Sequence, residues 1–541
     1  MPRRPADGPG PNQSAGYRGG GTIGEAMTLT HTAETESIAA PARFAWRGVV
    51  LISGLMALVL SVSAARFQFA GDELYYLACG RRLAVSYVDN GPVVPLIARL
   101  CDLIAPGSVI VLRIPGLLLL ILVSVLAAAV AFECGARPRY QLLAAAAYGA
   151  SPLVLGFTVL TSVAFDLALQ GLICWLLVRW VRIRQDRLLV AVGVTAAVDV
   201  QDKWLVLMLA ACIGLGVLAV GPREMLRRTA LWVGLLIFAA AMIPALLWQA
   251  SHRWPQLATN SAIARETAQN GGQWGTVAAI LMISGFLGGG LGALGLYGLV
   301  RSPRLRPYRF LLIAAVLMVV LVVVGHGRAY YVAGIIPALF GAGASTLSGL
   351  LDTAGKRPLR WTFTTLTVLS AALTAFFALL PYPRSWIVEP HDGPLGSLQH
   401  YGNDGWADLA DAVHTAAIGL PPAEQAGAVV VTAAYNQAGA LDQYGRSQWI
   451  PPVYSPHRGF AEFGPPPDSA QTILYVGFNG GSEQQAFLAE FAHTTPALRL
   501  DNELGIGGQN HQLTIWICRD PLIPMSVAWP KLIYMVAPPT P

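Results

Sequence analysis

Charge is scarce in this chain. Asp, Glu, Lys and Arg make up 12% of its 541 residues, against 54% apolar, and a soluble globular chain carries about twice that share of charge. This excludes an ordinary soluble protein and places most of the chain in a bilayer, so domain number does not follow from length. Cysteine is scarce too. The six (Cys79, Cys101, Cys134, Cys174, Cys212 and Cys518) are scattered, with neither metal-ligand spacing nor a disulfide framework. Cys79 and Cys101 share one loop and can pair only if it lies outside the cytoplasm. The patterns G-x-x-x-x-G-K-[ST], H-E-x-x-H and G-x-S-x-G are absent, which removes nucleotide-driven pumps, zinc proteases and serine hydrolases of those types. No apolar segment follows the charged first residues until position 46, unlike a cleaved signal peptide. Residues 1–42, rich in Gly, Pro, Ala and Thr, read as a disordered cytoplasmic tail. The net charge of +6 is modest; its placement matters more than its size, and no nucleic-acid partner is expected.

What the chain has is apolar runs. Eleven reach membrane length, about 20 residues each: 46–65, 109–132, 140–158, 163–181, 187–202, 204–220, 229–248, 275–300, 310–325, 330–350 and 361–380. The third contains Ser151–Pro152 and is a candidate for a break. Glycines at 285, 288–290, 292, 295 and 298 inside an apolar span indicate close helix packing. Alternate connections hold the basic residues. Sixteen fall in 133–139, 179–187, 221–228, 301–309 and 352–360, whereas the opposite connections after the first hold only Lys203, Arg253, Arg265 and Arg328. By the positive-inside rule the N-terminus is cytoplasmic, and the loop 66–108 and everything beyond 380 are extracytoplasmic. Residues 381–541 change character: strand-length runs (Ala428–Thr432, Thr472–Phe478, Gln512–Cys518) alternate with helical patterns (Trp406–Ile418, Glu483–Phe491). The expected architecture is therefore a membrane all-α domain over 43–380 and an extracytoplasmic α/β domain over 381–541.

The loop 66–108 is too polar for its place beside a span unless its side chains have partners or a task. Asp72 and Glu73 fit two roles: a general base for a hydroxyl nucleophile, or carboxylates in the first turn of a helix. Arg81 and Arg82 run against the charge rule and suit phosphate capture or a solvated helix face. Asp89 precedes a Gly91–Pro92 turn. Asp166, at the extracytoplasmic end of a span, points to a polar cavity or complements a helix dipole. Lys203, beside Asp199 and Asp202, suits a lipid phosphate or an ion pair. Arg328 with Tyr330 and Tyr331 suits a phosphate with its prenyl chain, or an interfacial anchor. Carboxylates at 72, 73, 89 and 166 offer the oxygen ligands a divalent cation takes, although no obligate metal is expected.

The stretch GDELYYLACGRRLAVSYVDNGPVVPLIARL (71–100) closely resembles the first-loop signature of glycosyltransferase family 39, the dolichyl-phosphate-mannose protein mannosyltransferase-like, bacterial members of the GT-C superfamily. The resemblance continues in order through SVAFDLALQGL (162–172), QDKWLVLML (201–209), GRAYYVAGIIPALFGAGA (327–344) and YNQAGALDQYG…IPPVYSPHRGF…FGPP (435–466). It implies a GT-C fold and an inverting transfer of a hexosyl or pentosyl group from a polyprenyl-phosphate sugar to an extracytoplasmic protein, lipid or cell-wall glycan. It further implies Asp72, with Glu73 beside it, as catalytic residues, and Lys203 and Arg328 as ligands of the donor phosphate. The chain departs from the family at Asp89–Asn90–Gly91–Pro92, at Asp202–Lys203–Trp204 and at Ser455–Pro456–His457–Arg458, which bears on the acceptor and weakens a role for His457. The rival expectations are a multi-span transporter or lipid flippase, whose site belongs near mid-membrane, and a receptor or scaffold built on the α/β domain.

Overall fold

Each of the eleven apolar runs contains helix among its described residues, as a bilayer demands of any segment that must satisfy its own backbone. The structure, a computed structural model, describes residues 43–269, 271–351, 357–378, 405–501 and 510–536; the expected tail 1–42 and the expected boundary near 380 lie outside the described residues. In chain order the helices are α1 (Trp46–Ala64), α2 (Gly71–Arg81), α3 (Val93–Ile104), α4 (Val109–Glu133), α5 (Pro138–Gly149), α6 (Ser162–Ile183), α7 (Arg187–Asp199) and α8 (Leu205–Val220). They continue with α9 (Thr229–Ser251), α10 (Pro255–Gln269), α11 (Gly272–Ile283), α12 (Gly285–Arg301), α13 (Phe310–Val324), α14 (Ile336–Leu351) and α15 (Arg357–Ala378). The chain is a multi-pass membrane protein. Among the described residues five helical stretches are long and apolar enough to cross by themselves, and α11 with α12, bent by 97° at their junction, makes a sixth if counted as one span. Helices α8 and α13 are apolar but shorter. The bundle exterior is correspondingly greasy: Leu58, Leu236 and Leu247 stand more than half exposed, a pattern that only lipid covers.

Proline and glycine shape the bundle. The run 140–158 breaks at Ser151–Pro152 into α5 and a 3-10 turn, Pro152–Phe157, because proline brings no N–H and clashes with the preceding turn. The glycine-rich α12 lies against α14 with nothing between the backbones: a Cβ on Gly295 would sit 2.3 Å from the Leu339 carbonyl oxygen, and one on Gly343 would sit 1.9 Å from that of Leu291. Helices α7 and α9 cross in the same way, with Gly193 over Gly234.

The loop 66–108 folds into α2 and α3. Helix α3 buries Val94, Ala98 and Cys101 and leaves Leu96, Leu100, Leu103 and Ile104 exposed, the profile of a helix lying along a membrane surface. Cys79 and Cys101 are both buried and free.

The C-terminal domain is a five-stranded sheet in the order β2-β1-β3-β5-β4, built from β1 (Val429–Thr432), β2 (Val453–Tyr454), β3 (Thr472–Phe478), β4 (Phe491–Leu500) and β5 (Leu513–Pro521). β2, β1 and β3 run parallel, with Val430 opposite Val453 and Leu474; β5 pairs antiparallel with β3 and β4. β1 and β3 are buried along their whole length, which is why they read as unbroken apolar runs. Helices α16 (Trp406–Ile418), α17 (Pro422–Gln425), α18 (Tyr435–Tyr444), α19 (Ser482–Leu488) and α20 (Met525–Leu532) complete it. The expected helix 483–491 stops at Leu488, and Phe491 instead opens the edge strand β4. Pro496 is tolerated there because an edge strand can spare a donor, and the register slips beside it, between Pro496 and Leu498.

The sheet domain is welded to the loop. A single apolar core runs from Phe69, Leu74 and Leu77 through Trp406 and Leu441 to Leu474 and Ile515. The Trp406 indole donates to the Phe69 carbonyl at 2.8 Å.

Gly343→Ala is expected to lower the unfolding midpoint of the purified protein, at a cost of about 1–3 kcal/mol. Gly289→Ala, whose methyl would meet nothing within 4 Å, should leave it unchanged or raise it; equal midpoints for the two variants would contradict the close α12–α14 contact.

Candidate active site

Helix α2 begins with Gly71–Asp72–Glu73 at the foot of the loop, and successive residues turn by about 100°. The two carboxylates therefore face different surroundings. Asp72 is exposed into a cavity, where its Oδ1 accepts a 2.6 Å hydrogen bond from the Tyr435 hydroxyl. Glu73 points the other way and is fully buried. It pairs with Arg113 of α4, Nη2 to Oε2 at 2.7 Å and Nε to Oε1 at 2.9 Å. It also accepts from the Leu160 N–H at 2.9 Å and the Ala70 N–H at 2.8 Å. Arg113 in turn donates to the carbonyls of Ala64, Phe67 and Gln68. Both groups are committed, so Glu73 is a structural rivet at the base of the loop. The expectation that it shares the catalytic role is corrected on that ground.

The cavity has a volume of about 370 Å³. Asp72, Tyr75, Tyr76 and Asp89 of the loop line it, as do Ser162 of α6, Lys203, Arg328, Tyr330 and Tyr331, and Tyr435 and Arg458 of the sheet domain. Leu205, Leu207 and Met208 of α8 make one wall apolar; Gln256, Thr259 and Asn260 of α10 make another polar.

Lys203 reaches it from the turn that closes α7. A Cβ on Gly91 would sit 1.9 Å from the Gln201 carbonyl oxygen, so only glycine lets the loop press against this turn. There the Gly91 N–H donates to the Asp202 carbonyl at 2.9 Å and the Val93 N–H to that of Gln201 at 3.2 Å. This contact sets Asp89 and Lys203 on the same cavity. The Lys203 ammonium donates to Ser162 Oγ at 3.2 Å and lies 5.5 Å from the centre of the Tyr330 ring. The Tyr76 hydroxyl donates to the same Ser162 oxygen. Asp89, half-buried, is pushed above the usual carboxylate range by desolvation, with the positive charges of Arg458 and Lys203 opposing.

Arg328 opens the 3-10 turn that leads into α14, and its Nη2 meets Glu266 Oε2 of α10 at 3.0 Å. The other oxygen of Glu266 takes Arg458, so one carboxylate holds two guanidinium groups at the cavity. Arg458 has φ +49°, a left-handed backbone that a non-glycine residue adopts only under constraint. Its N–H donates to the Tyr534 carbonyl and its Nε to that of Met535, both at 2.9 Å. Beside it, His457 is buried and its imidazole is held well below its ordinary pKa by desolvation and then by Arg458, so it stays neutral. Its Nδ1 accepts from the Tyr435 N–H at 3.3 Å, and its ring stacks on Tyr534.

Of the residues singled out from sequence, Asp72, Asp89, Lys203, Arg328, Tyr330 and Tyr331 thus line one cavity. Arg81 and Arg82 do not. Arg81 pairs with Asp442 at 2.6 Å and Arg82 with its other oxygen at 2.9 Å, so the structure engages both with the sheet domain, away from this cavity. Asp166 also misses the cavity. It is buried in α6, accepts from Gln170 at 2.8 Å, and lies within electrostatic reach of Asp199, Asp202 and Lys203. Tyr435 and Arg458 carried a signal, since both follow strands of the parallel part of the sheet, whose carboxyl ends are where α/β folds place ligands. Among the described residues no three His, Cys, Asp or Glu side chains are arranged to hold a metal ion. With Glu73 spent on Arg113 and Asp166 off the cavity, the four carboxylates suggested as cation ligands do not form a set.

The fold matches a solved one. The structure of ArnT from Cupriavidus metallidurans bound to undecaprenyl phosphate superposes with a TM-score of 0.54 over 87% of this chain and 97% of that one, at 15% identity. The apo structure of the same protein gives 0.57 over the same shares, at 13% identity. This chain has the GT-C fold. No family model matches the sequence, and no curated protein matches it.

Removing either partner of the buried pair should unfold the loop base. Glu73→Ala and Arg113→Ala are each expected to cost about 3–5 kcal/mol, seen as a lower unfolding midpoint and loss of the monodisperse peak. Asp72→Asn should leave both unchanged; stable Glu73→Ala protein would contradict the assignment.

Proposed function

We propose that the protein is an inverting glycosyltransferase of the family 39 type, which moves a sugar from a polyprenyl-phosphate donor to an extracytoplasmic hydroxyl acceptor. The reading rests on one observation: a carboxylate from the loop and cations from two distant segments, Asp72, Lys203 and Arg328, share one cavity. Asp72 takes the proton of the acceptor hydroxyl as its oxygen attacks the anomeric carbon. The bond from that carbon to the phosphate oxygen breaks on the opposite face, and the electron pair leaves with the polyprenyl phosphate. Lys203 and Arg328, joined by Arg458, meet the charge that grows on this phosphate. Tyr330, Tyr331 and the apolar wall of α8 suit the first prenyl units. ArnT, which shares the fold, was solved with a lipid phosphate of this chemical class. The concentration of basic residues in alternate connections supports an extracytoplasmic position for the cavity, the loop and the sheet domain. A cavity at one end of the bundle does not suit a transporter, whose site lies near the midplane.

Purified protein in lipid nanodiscs is expected to transfer sugar from a polyprenyl-phosphate sugar. Asp72→Asn should lower kcat by about 10²-fold or more. Lys203→Ala and Arg328→Ala should each lower kcat/KM by about 10²-fold. Full turnover by Asp72→Asn would overturn the assignment of the base.

A further inference from the structure

We infer that the sheet domain is part of the reaction centre, with Tyr435 the positioning residue that holds Asp72. The inference rests on the glycosyltransferase reading for what Asp72 does, and on geometry for everything else. Tyr435 is the first residue of α18, with two residues between it and the end of β1. Its hydroxyl donates to Asp72 Oδ1 at 2.6 Å, the length of a hydrogen bond to a charged acceptor. That bond engages one oxygen of a carboxylate that lines the cavity.

The phenol is itself held on three sides. Its ring packs edge-on against Tyr75, centroids 5.2 Å apart, and lies tilted against His457 at the same separation, while its backbone N–H is fixed by His457 Nδ1. Burial, and then the charge of Asp72, keep it well above the ordinary tyrosine pKa, so it remains a donor through any working pH. Helices α2 and α18 run side by side in the same direction. Their first turns are joined by Asp72 and Tyr435, and their last turns by Arg81 and Arg82 on Asp442. Small residues keep them close: a Cβ on Gly439 would sit 2.9 Å from the Leu74 backbone, and one on Gly71 would sit 2.8 Å from the Asn436 amide. The base is therefore set by a helix that belongs to another domain.

The test is Tyr435→Phe in the full chain, which keeps the ring and removes only the donor. With a polyprenyl-phosphate sugar, kcat is expected to fall about tenfold while KM for the donor stays unchanged. An unchanged kcat, or a rise in donor KM alone, would overturn the inference. A second arm needs no turnover: the rate at which a water-soluble carbodiimide labels Asp72 at one fixed pH, followed by mass spectrometry. It should rise in Tyr435→Phe, where the hydroxyl no longer covers Oδ1, and equal rates would overturn the inference. Absence of sugar transfer by the parent chain would remove the glycosyltransferase reading, and the labelling arm would still decide the hydrogen bond.

Discussion

Two helices in near-backbone contact, α2 from a membrane-surface loop and α18 from the sheet domain, are the constraint on which the cavity depends. Glycines at 71 and 439 let them approach, and the apolar core that continues from Leu74 into the sheet holds them there. Burial of that core carries the stability. The partly exposed pairs of Arg81 and Arg82 with Asp442 are each worth about 0–1 kcal/mol, and their contribution is alignment. Because the helices cannot slide past one another, the carboxyl ends of the parallel strands arrive at the rim of the bundle, and Tyr435 and Arg458 enter a site whose other walls are membrane helices.

Neighbouring carboxylates with opposite fates show where reading from sequence stops. Asp72–Glu73 stands out as a pair, yet one carboxylate lines the cavity and the other is buried against Arg113. What separates them is Arg113, 40 positions away from Glu73 in the middle of an apolar run, where nothing local says which carboxylate it will meet. The loop arginines were visible as violations of the charge rule, yet their partner Asp442 lies 361 positions beyond Arg81. Tyr435 is 363 positions from Asp72, and no periodicity reports a hydrogen bond across that span.

Where the physics is local, the fold was legible. Long apolar runs became helices, the glycine-rich run became a close crossing, and the buried strands β1, β3 and β5 appeared where unbroken apolar runs stood. The edge strand β4 was not seen, since a half-exposed strand interrupted by Pro496 has neither alternation nor a continuous apolar stretch. Helix α18 was missed for a related reason: it is short and buried almost all round, so its sequence YNQAGALDQY carries no amphipathic stripe. These are the elements that couple the domain to the site. Contacts between distant segments, which composition does not encode, decide what they do.

The cavity carries charge of both signs, with Asp72 and Asp89 on the loop and Lys203, Arg328 and Arg458 brought from elsewhere, the two arginines fixed by the shared Glu266. The central claim is that these cations exist to hold a lipid-linked phosphate while Asp72 faces the nucleophile. A cryo-electron-microscopy structure of the nanodisc-embedded protein with a polyprenyl monophosphate tests it most directly. The account predicts phosphate oxygens within hydrogen-bond reach of Lys203 and Arg328, the prenyl chain along α8, and Asp72 across an open gap. A head group bound outside this cavity, or lodged against Asp72 and away from the three cations, would contradict it.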